Sequence, residues 1–364
     1  MAYDIYTAVA IQPEVKIVKK RSDIMDNLKR CLELIDAAPQ VQPSAKEGFE
    51  NNWAPIKLIS FPEFFIQGHE GHWPYEHYIN EVLVDFKGEE MTLLANKAKE
   101  HKVYIAGCIL ERDEDWIDDG YFFNTHFVIG PNGDVVHKYR KLTVATHYEL
   151  AVSPHDVYDK YVEMYGDDLS SFFPVTDTEI GKIGTITCMD GHFPETARAL
   201  GMQGAEVILH PLLTEPSMTQ PMEIWQSMNK MRAWENVSYV VGASWGGLNG
   251  ALRPKTFAPG KSMIVNYNGV VTAYADSPGE AIISSVINLE ELRRRRVDPS
   301  RNFPTLLRNE IYKKIYTDEV YPPNQFVAQS PATREARDPM ETIRQFIDKD
   351  IYKLPNTVPS YLKK

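Results

Sequence analysis

The sequence predicts an α/β domain. Two observations carry that prediction. Short apolar, β-branched runs alternate with amphipathic stretches of helical period along most of the 364 residues. A hydrophobic content of 43% beside 24% charged residues is that of a globular chain with a sizeable core, and neither an internal repeat nor a low-complexity linker interrupts the series.

The elements follow in order. "YTAVAIQ" reads as a strand, and "SDIMDNLKRCLELIDAAP" as an amphipathic helix with Ser22 as its N-cap. "IKLISFPEFF" is apolar enough for a buried strand, interrupted at Pro62; the helix "EEMTLLANKAKEHK" and the strand "VYIAGCILER" come next. "YFFNTHFVIGPNGDVVHKYRK" is two strands joined at the "PNGD" turn. Ile183 to Thr187 form a short strand, and "PETARALGMQG" a helix with Pro194 in its first turn. The strand "AEVILHP", the helix "MEIWQSMNKMRAWEN" and the strand "VSYVVGASW" continue the alternation. A hairpin around "YNG" and the strand "AIISSVINL" close the domain near residue 290.

The division expected is therefore a domain over residues 1–296 and an arm over 297–364. The arm holds 8 of the 24 prolines, which excludes long regular elements over most of it. It also carries Phe303, Tyr312, Tyr316, Tyr321, Phe326, Phe346, Tyr352 and Tyr361, too many rings for a solvated tail, so it is expected to pack on its own domain or on a neighbouring subunit. The formal net charge of -11 argues against nucleic acid or an anionic membrane as partner. The N-terminus has neither the basic flank nor the apolar core of a signal peptide, and no apolar run reaches membrane-spanning length. Three cysteines, Cys31, Cys108 and Cys188, suit a reducing, cytoplasmic setting.

Chemistry is concentrated in three stretches. In "GKIGTITCMDGHFPE" Cys188 sits where a strand breaks into a loop before a helix, which fixes and exposes a nucleophile; the N–H of Met189 would then be placed to donate to an oxyanion. Taken alone, a cysteine packed as a small apolar residue is the commoner case. In "LISFPEFFIQG" Glu63 follows an apolar strand among aromatic rings, where a carboxylate is paired or desolvated and suits a general base; a turn cap or a solvent-facing glutamate fits as well. In "HKYRKLTVATHYEL" Lys141 ends a strand and Glu149 follows it, so a buried lysine beside a carboxylate could hold positive charge where an oxyanion develops.

Together these stretches resemble the nitrilase, or carbon–nitrogen hydrolase, superfamily, and most of all its aliphatic amidase and formamidase branch. "FPEFFIQG", "YRKLTVATHYE" and "CMDGHFPETARAL" match the family's blocks in order, followed by "GAEVILHP" and "MRAWEN", over most of residues 5 to 290. The resemblance implies a four-layer αββα sandwich and assembly into homo-oligomers built from dimers, helped by a C-terminal extension. It implies Cys188 as nucleophile, Glu63 as general base, Lys141 as oxyanion stabiliser and Glu149 as a second, positioning glutamate, with no metal or cofactor. The reaction implied is hydrolysis of a small linear carboxamide to acid and ammonia through a thioester. Hydrolysis of a nitrile or an N-carbamoyl amide is the alternative, and a catalytically silent scaffold the remote one.

"CMDG" is nearer the amidase pattern than the tryptophan and glutamate that follow the cysteine of true nitrilases, although Met189 departs from the acidic or histidine residue expected there. Met189, His192, Phe193, Tyr148 and Trp245 are the expected pocket residues. A papain-like Cys–His pairing would instead draw on His192 or His210. "GHEGHW" has glycines where a metal-binding helix cannot, so His69 and His72 are read as loop or rim. "PGKS" lacks the first glycine of a phosphate loop, and "RRRR" at 293–296 is read as a solvated helix end with local ion pairs.

Overall fold

The computed structural model describes residues 3–41, 53–69, 73–145, 149–213, 223–250, 258–327 and 339–359. Two six-stranded sheets dominate it. The first contains β1 (Ile5–Gln12), β3 (Ile56–Glu63), β4 (Tyr104–Glu111), β5 (Phe123–Ile129), β6 (Val135–Arg140) and β14 (Ala281–Asn288), in the order β14-β1-β3-β4-β5-β6. The second contains β7 (Val175–Thr178), β8 (Gly181–Thr185), β9 (Val207–Leu209), β10 (Tyr239–Gly242), β12 (Met263–Val265) and β13 (Val271–Tyr274), in the order β13-β12-β10-β9-β8-β7. A small parallel pair, β2 (Glu14–Lys16) and β11 (Gly247–Asn249), ties the two halves together.

The layers follow from which faces are apolar. Strands β1, β3 and β4 are buried over nearly every position, as strands covered on both sides must be. One face carries Val9, Ile11, Ile59, Phe61, Ile105 and Ile109 into a core with Ile24, Leu28, Leu94 and Ala98 of the helices Ser22–Ala37 and Glu89–His101. The opposite face sends Tyr6, Ala8, Leu58, Ala106 and Val128 against Ile183, Val207, Leu209, Val241 and Ile264 of the second sheet. The far side of that sheet packs Ile208, Val240 and Val265 on Ala197, Leu200 and Ala233 of the helices Pro194–Met202 and Ile224–Asn236. The stack is helix, sheet, sheet, helix: the αββα sandwich.

Two local expectations are corrected. Ser22 does not cap the first helix: the residue before the helix, Arg21, is already in helical conformation, and Asp23 turns its carboxylate upstream to accept from the Lys19 and Lys20 N–H groups. The run of four arginines is not simply a solvated end. Arg294 pairs locally with Glu290, but Arg296 is half-buried and donates to the carbonyls of Val237 and Gly204, while Arg293 reaches Glu206 and Asp4. Carbonyls at strand and helix ends need donors, and a long guanidinium supplies several at once.

The described part of the arm folds back at three points. Phe303 packs against Trp234, Tyr316 donates to Glu195, and Phe326 sinks into a satellite core with Trp116, Phe123, Val152 and Tyr161. Between these points Leu306, Ile311, Ile315 and Val320 stay exposed, as does Val327 just beyond them. No helix among the described residues is long and apolar enough to cross a membrane.

Candidate active site

Glu63 is the last residue of β3, and a bulge brings it there. The β3–β4 pairing slips between Ser60 and Glu63, where Pro62 has no N–H to give the ladder, so the carboxylate is re-aimed inward. It is 1% exposed. Its Oε1 accepts from Lys141 Nζ at 2.9 Å and from Asn124 Nδ2 at 2.8 Å, and its Oε2 accepts from the Leu213 N–H at 3.1 Å. The Trp245 indole N–H donates to the Glu63 carbonyl at 2.5 Å, which fixes the backbone behind the carboxylate.

Lys141 extends β6 by one residue, its N–H donating to the Asn124 carbonyl of β5 at 2.9 Å. Its ammonium is fully enclosed and bonds to Glu63 and to Glu149. Burial opposes its charge, but the Glu149 and Glu63 carboxylates outweigh that and raise its pKa well above the ordinary lysine value. Lys141 is therefore a permanent cation between two carboxylates.

Cys188 stands just past the end of β8. Its N–H donates to the Pro211 carbonyl at 2.9 Å, continuing the parallel β8–β9 ladder after the Ile186 N–H has met the Leu209 carbonyl. It has φ +49°, a left-handed conformation that costs a residue with a side chain on the order of 1–3 kcal/mol unless its surroundings hold it there. Its charged neighbours are Glu63, Lys141 and Glu149. Burial first, then the Glu63 and Glu149 carboxylates, push the thiol pKa well up against the pull of Lys141. A thiolate here would be a third negative charge beside one cation, so the resting sulfur keeps its proton and needs a base in contact to remove it.

Asp190 joins the cysteine turn to the lysine strand. Its carboxylate accepts from the Tyr139 hydroxyl at 2.7 Å, the Thr143 N–H at 2.8 Å and the Thr187 N–H at 3.0 Å. Burial pushes its pKa up to about 6, with Tyr139, Lys141 and the two N–H groups holding it back.

The structure thus brings Glu63, Lys141, Glu149 and Cys188 into one cluster, with the three charged residues buried and Cys188 partly exposed. Met189 is half-buried beside the cysteine, His192 and Phe193 are exposed, and Trp245 is wholly buried behind Glu63. Tyr148 and His72 lie outside the described residues. His69 is buried, 2.8 Å from the Tyr78 hydroxyl in a cluster of rings. The papain-like pairing is not what forms around His210: its Nε2 faces the Cys188 carbonyl at 3.1 Å.

Sequence reasoning missed Asn124. It bonds to Glu63 through one end of its amide and accepts the Cys108 S–H at 2.7 Å through the other. The signal was present, since asparagine is disfavoured within a strand and "NTH" interrupts an apolar run.

The family described as carbon-nitrogen hydrolase matches residues 7–297. The chain belongs to that family. Formamidases of Bacillus cereus (strain Q1) and Bacillus anthracis are each 28% identical to this carbon-nitrogen hydrolase over 284 residues, 77% of this chain and 74% of theirs. Among solved structures, Saccharomyces cerevisiae Nit3, a member of branch 10 of the nitrilase superfamily, aligns with TM-score 0.63 at 23% identity, covering 82% of this chain and 96% of that one. A carbon-nitrogen hydrolase from Helicobacter pylori G27 aligns with TM-score 0.64 at 19% identity, covering 86% and 99%. These structural likenesses establish the shared sandwich. Family and relatives together make the protein an enzyme of amidase-type C–N hydrolysis.

Proposed function

We propose that this carbon-nitrogen hydrolase converts a small linear carboxamide to its acid and ammonia through a thioester on Cys188. The observation that carries the reading is the buried Lys141 ammonium, bonded to both Glu63 and Glu149 beside Cys188. Glu63 takes the thiol proton as sulfur attacks the amide carbon. Lys141 and the Met189 N–H meet the developing oxyanion, a service of about 3 kcal/mol per donor. Glu63 returns the proton to nitrogen, the C–N bond breaks and ammonia leaves. Glu63 then takes a proton from water, whose oxygen attacks the thioester carbon, and returns it to the sulfur as the C–S bond breaks, giving the acid and the free thiol. Glu149 holds Lys141 in place and in charge.

The formamidase relatives support a short acyl group, and the apolar, flexible Met189 supports one larger than formyl. The free thiols of Cys31 and Cys108, both buried, support a reducing, cytoplasmic setting. The exposed apolar residues of the arm support a homo-oligomer in which the arm also touches a neighbouring copy.

Ammonia release from a panel of small aliphatic, aromatic and carbamoyl amides and the matching nitriles tests the reading, with Cys188→Ala as control. Ammonia from amides, lost in the control, is expected. Turnover of nitriles alone would move the activity to the nitrilase branch, and release that survives Cys188→Ala would overturn the mechanism.

A further inference from the structure

His210 is built into the fold with unusual care for a residue that the mechanism above does not use. It follows β9 directly and is wholly buried. One ring nitrogen, Nδ1, lies 2.8 Å from Asn229 Oδ1, whose amide nitrogen donates to the Trp225 carbonyl, and the other, Nε2, lies 3.1 Å from the Cys188 carbonyl oxygen. The ring rests on Trp225 with centroids 4.8 Å apart. On its far side stands Gly191, where a Cβ would sit 2.2 Å from the imidazole Cε1 and 2.6 Å from Nε2. Arg232 donates twice to the Gly191 carbonyl, at 2.9 and 3.1 Å, and so pins that glycine against the ring.

A carbonyl oxygen only accepts and a neutral imidazole has one N–H, so this contact is a hydrogen bond in the tautomer that carries its proton on Nε2. The carbonyl it holds belongs to the nucleophile's own peptide. Together with the Cys188 N–H on the Pro211 carbonyl, it fixes both sides of a residue in the left-handed conformation. The Cys188–Met189 peptide is planar, and in a trans peptide the C=O and the N–H point in opposite directions. A donor gripping the carbonyl therefore dictates where the next N–H is aimed. It also polarises that peptide and makes the N–H a stronger donor.

We infer that His210 is a positioning residue for the oxyanion site: by holding the Cys188 carbonyl it aims and strengthens the Met189 N–H. The inference rests on the amidase reading. His210 acts through the peptide and touches neither the thiol proton nor the substrate.

The test compares wild type with His210→Phe, which keeps a ring without a donor, and His210→Gln, whose amide places a donor near the former Nε2. Two reactions of Cys188 are followed. Amide hydrolysis develops an oxyanion. Disulfide formation with methyl methanethiosulfonate, which accepts the sulfur at sulfur and expels sulfinate, uses the same thiol and develops none. His210→Phe is expected to lower kcat about 30-fold, less than the 10²–10³ of losing a donor outright, with KM and the methanethiosulfonate rate within about twofold of wild type. His210→Gln is expected to recover most of kcat. Gly191→Ala, which pushes the ring away from the carbonyl, is expected to give the same signature and serves if His210→Phe does not fold. Unchanged kcat in His210→Phe overturns the inference, as does a parallel fall of both reactions without rescue by glutamine. A wild type that makes no acyl-enzyme from any amide, yet reacts normally with the methanethiosulfonate, overturns the amidase reading itself.

Discussion

Replacing His137 by glutamine should flatten the protein's acid sensitivity. His137 lies on β6 and clips the two sheets together, Nδ1 2.8 Å from the Thr176 hydroxyl and Nε2 2.9 Å from the Thr185 hydroxyl. Burial lowers its pKa from the ordinary 6.5 to about 4. Between those values the unfolded chain binds a proton that the folded chain refuses, so stability falls as the pH drops through the window. The full loss is about 3 kcal/mol, of which about 2 kcal/mol has been incurred by pH 5. His210, also lowered to about 4 by burial, adds a similar loss. Asp190 works the other way: its folded pKa of about 6 lies above the ordinary 3.8, so the folded state takes up a proton first and regains about 1 kcal/mol by pH 5. These three groups together contribute a loss of roughly 2–3 kcal/mol between pH 7 and pH 5, and His126, which burial holds well below the ordinary histidine value, adds to it. Urea unfolding of wild type and His137→Gln at both pH values isolates one of them. The variant loses some stability at pH 7 with its hydrogen bonds, but its further loss on acidification should be smaller than that of wild type by about 2 kcal/mol. Equal losses in the two proteins would refute the argument that a buried neutral imidazole limits acid stability.

Asn124→Leu should lower kcat by roughly tenfold to a hundredfold with KM little changed, because it removes a donor from the Glu63 carboxylate; steady-state kinetics on the best amide would check it, and activity within twofold of wild type would count against Glu63 being held by that bond. Ile311→Asp with Ile315→Asp, at positions 63% and 67% exposed on the arm, should shift the assembly toward smaller species while the Tm stays near wild type. Sedimentation velocity reads the outcome, and an unchanged sedimentation coefficient would place the subunit contact elsewhere.

Much of this fold was legible because its signals are local. The strand that breaks at Cys188, the carboxylate displaced at Pro62 and the Pro194 that opens a helix each announce themselves within a few residues. The stacking order was not legible in that way. Alternating apolar runs say that strands are covered on both sides, but whether a helix or a second sheet covers them depends on contacts between distant segments such as Ala106 and Ile264. The same limit hid the supports of the site. Asn124 lies 61 residues from Glu63, and His210 lies 22 from Cys188. The two local misreadings have a common cause. Ser22 and Arg296 have neighbours in sequence that suit a cap or a solvated end, and tertiary partners decided otherwise: Asp23 serves the upstream loop, and Arg296 meets carbonyls at Val237 and Gly204.

The pairing of β1 with β14 bears on how the chain is made. Residues 5–12 lie antiparallel to residues 281–288 in an unbroken register. On the ribosome one edge of the first strand meets β3 early, while its other edge waits for a partner almost 270 residues downstream, a loop closure that belongs among the slow steps of folding. The second sheet has no such wait, since all its strands fall between Val175 and Tyr274. Cys188 is thus set in a sheet complete within itself, while Glu63 and Lys141 belong to one whose edge stays open until residues 281–288 have been made. In a nascent chain the thiol's own half can form early, but Glu63 and Lys141 gain their full support only when β14 arrives.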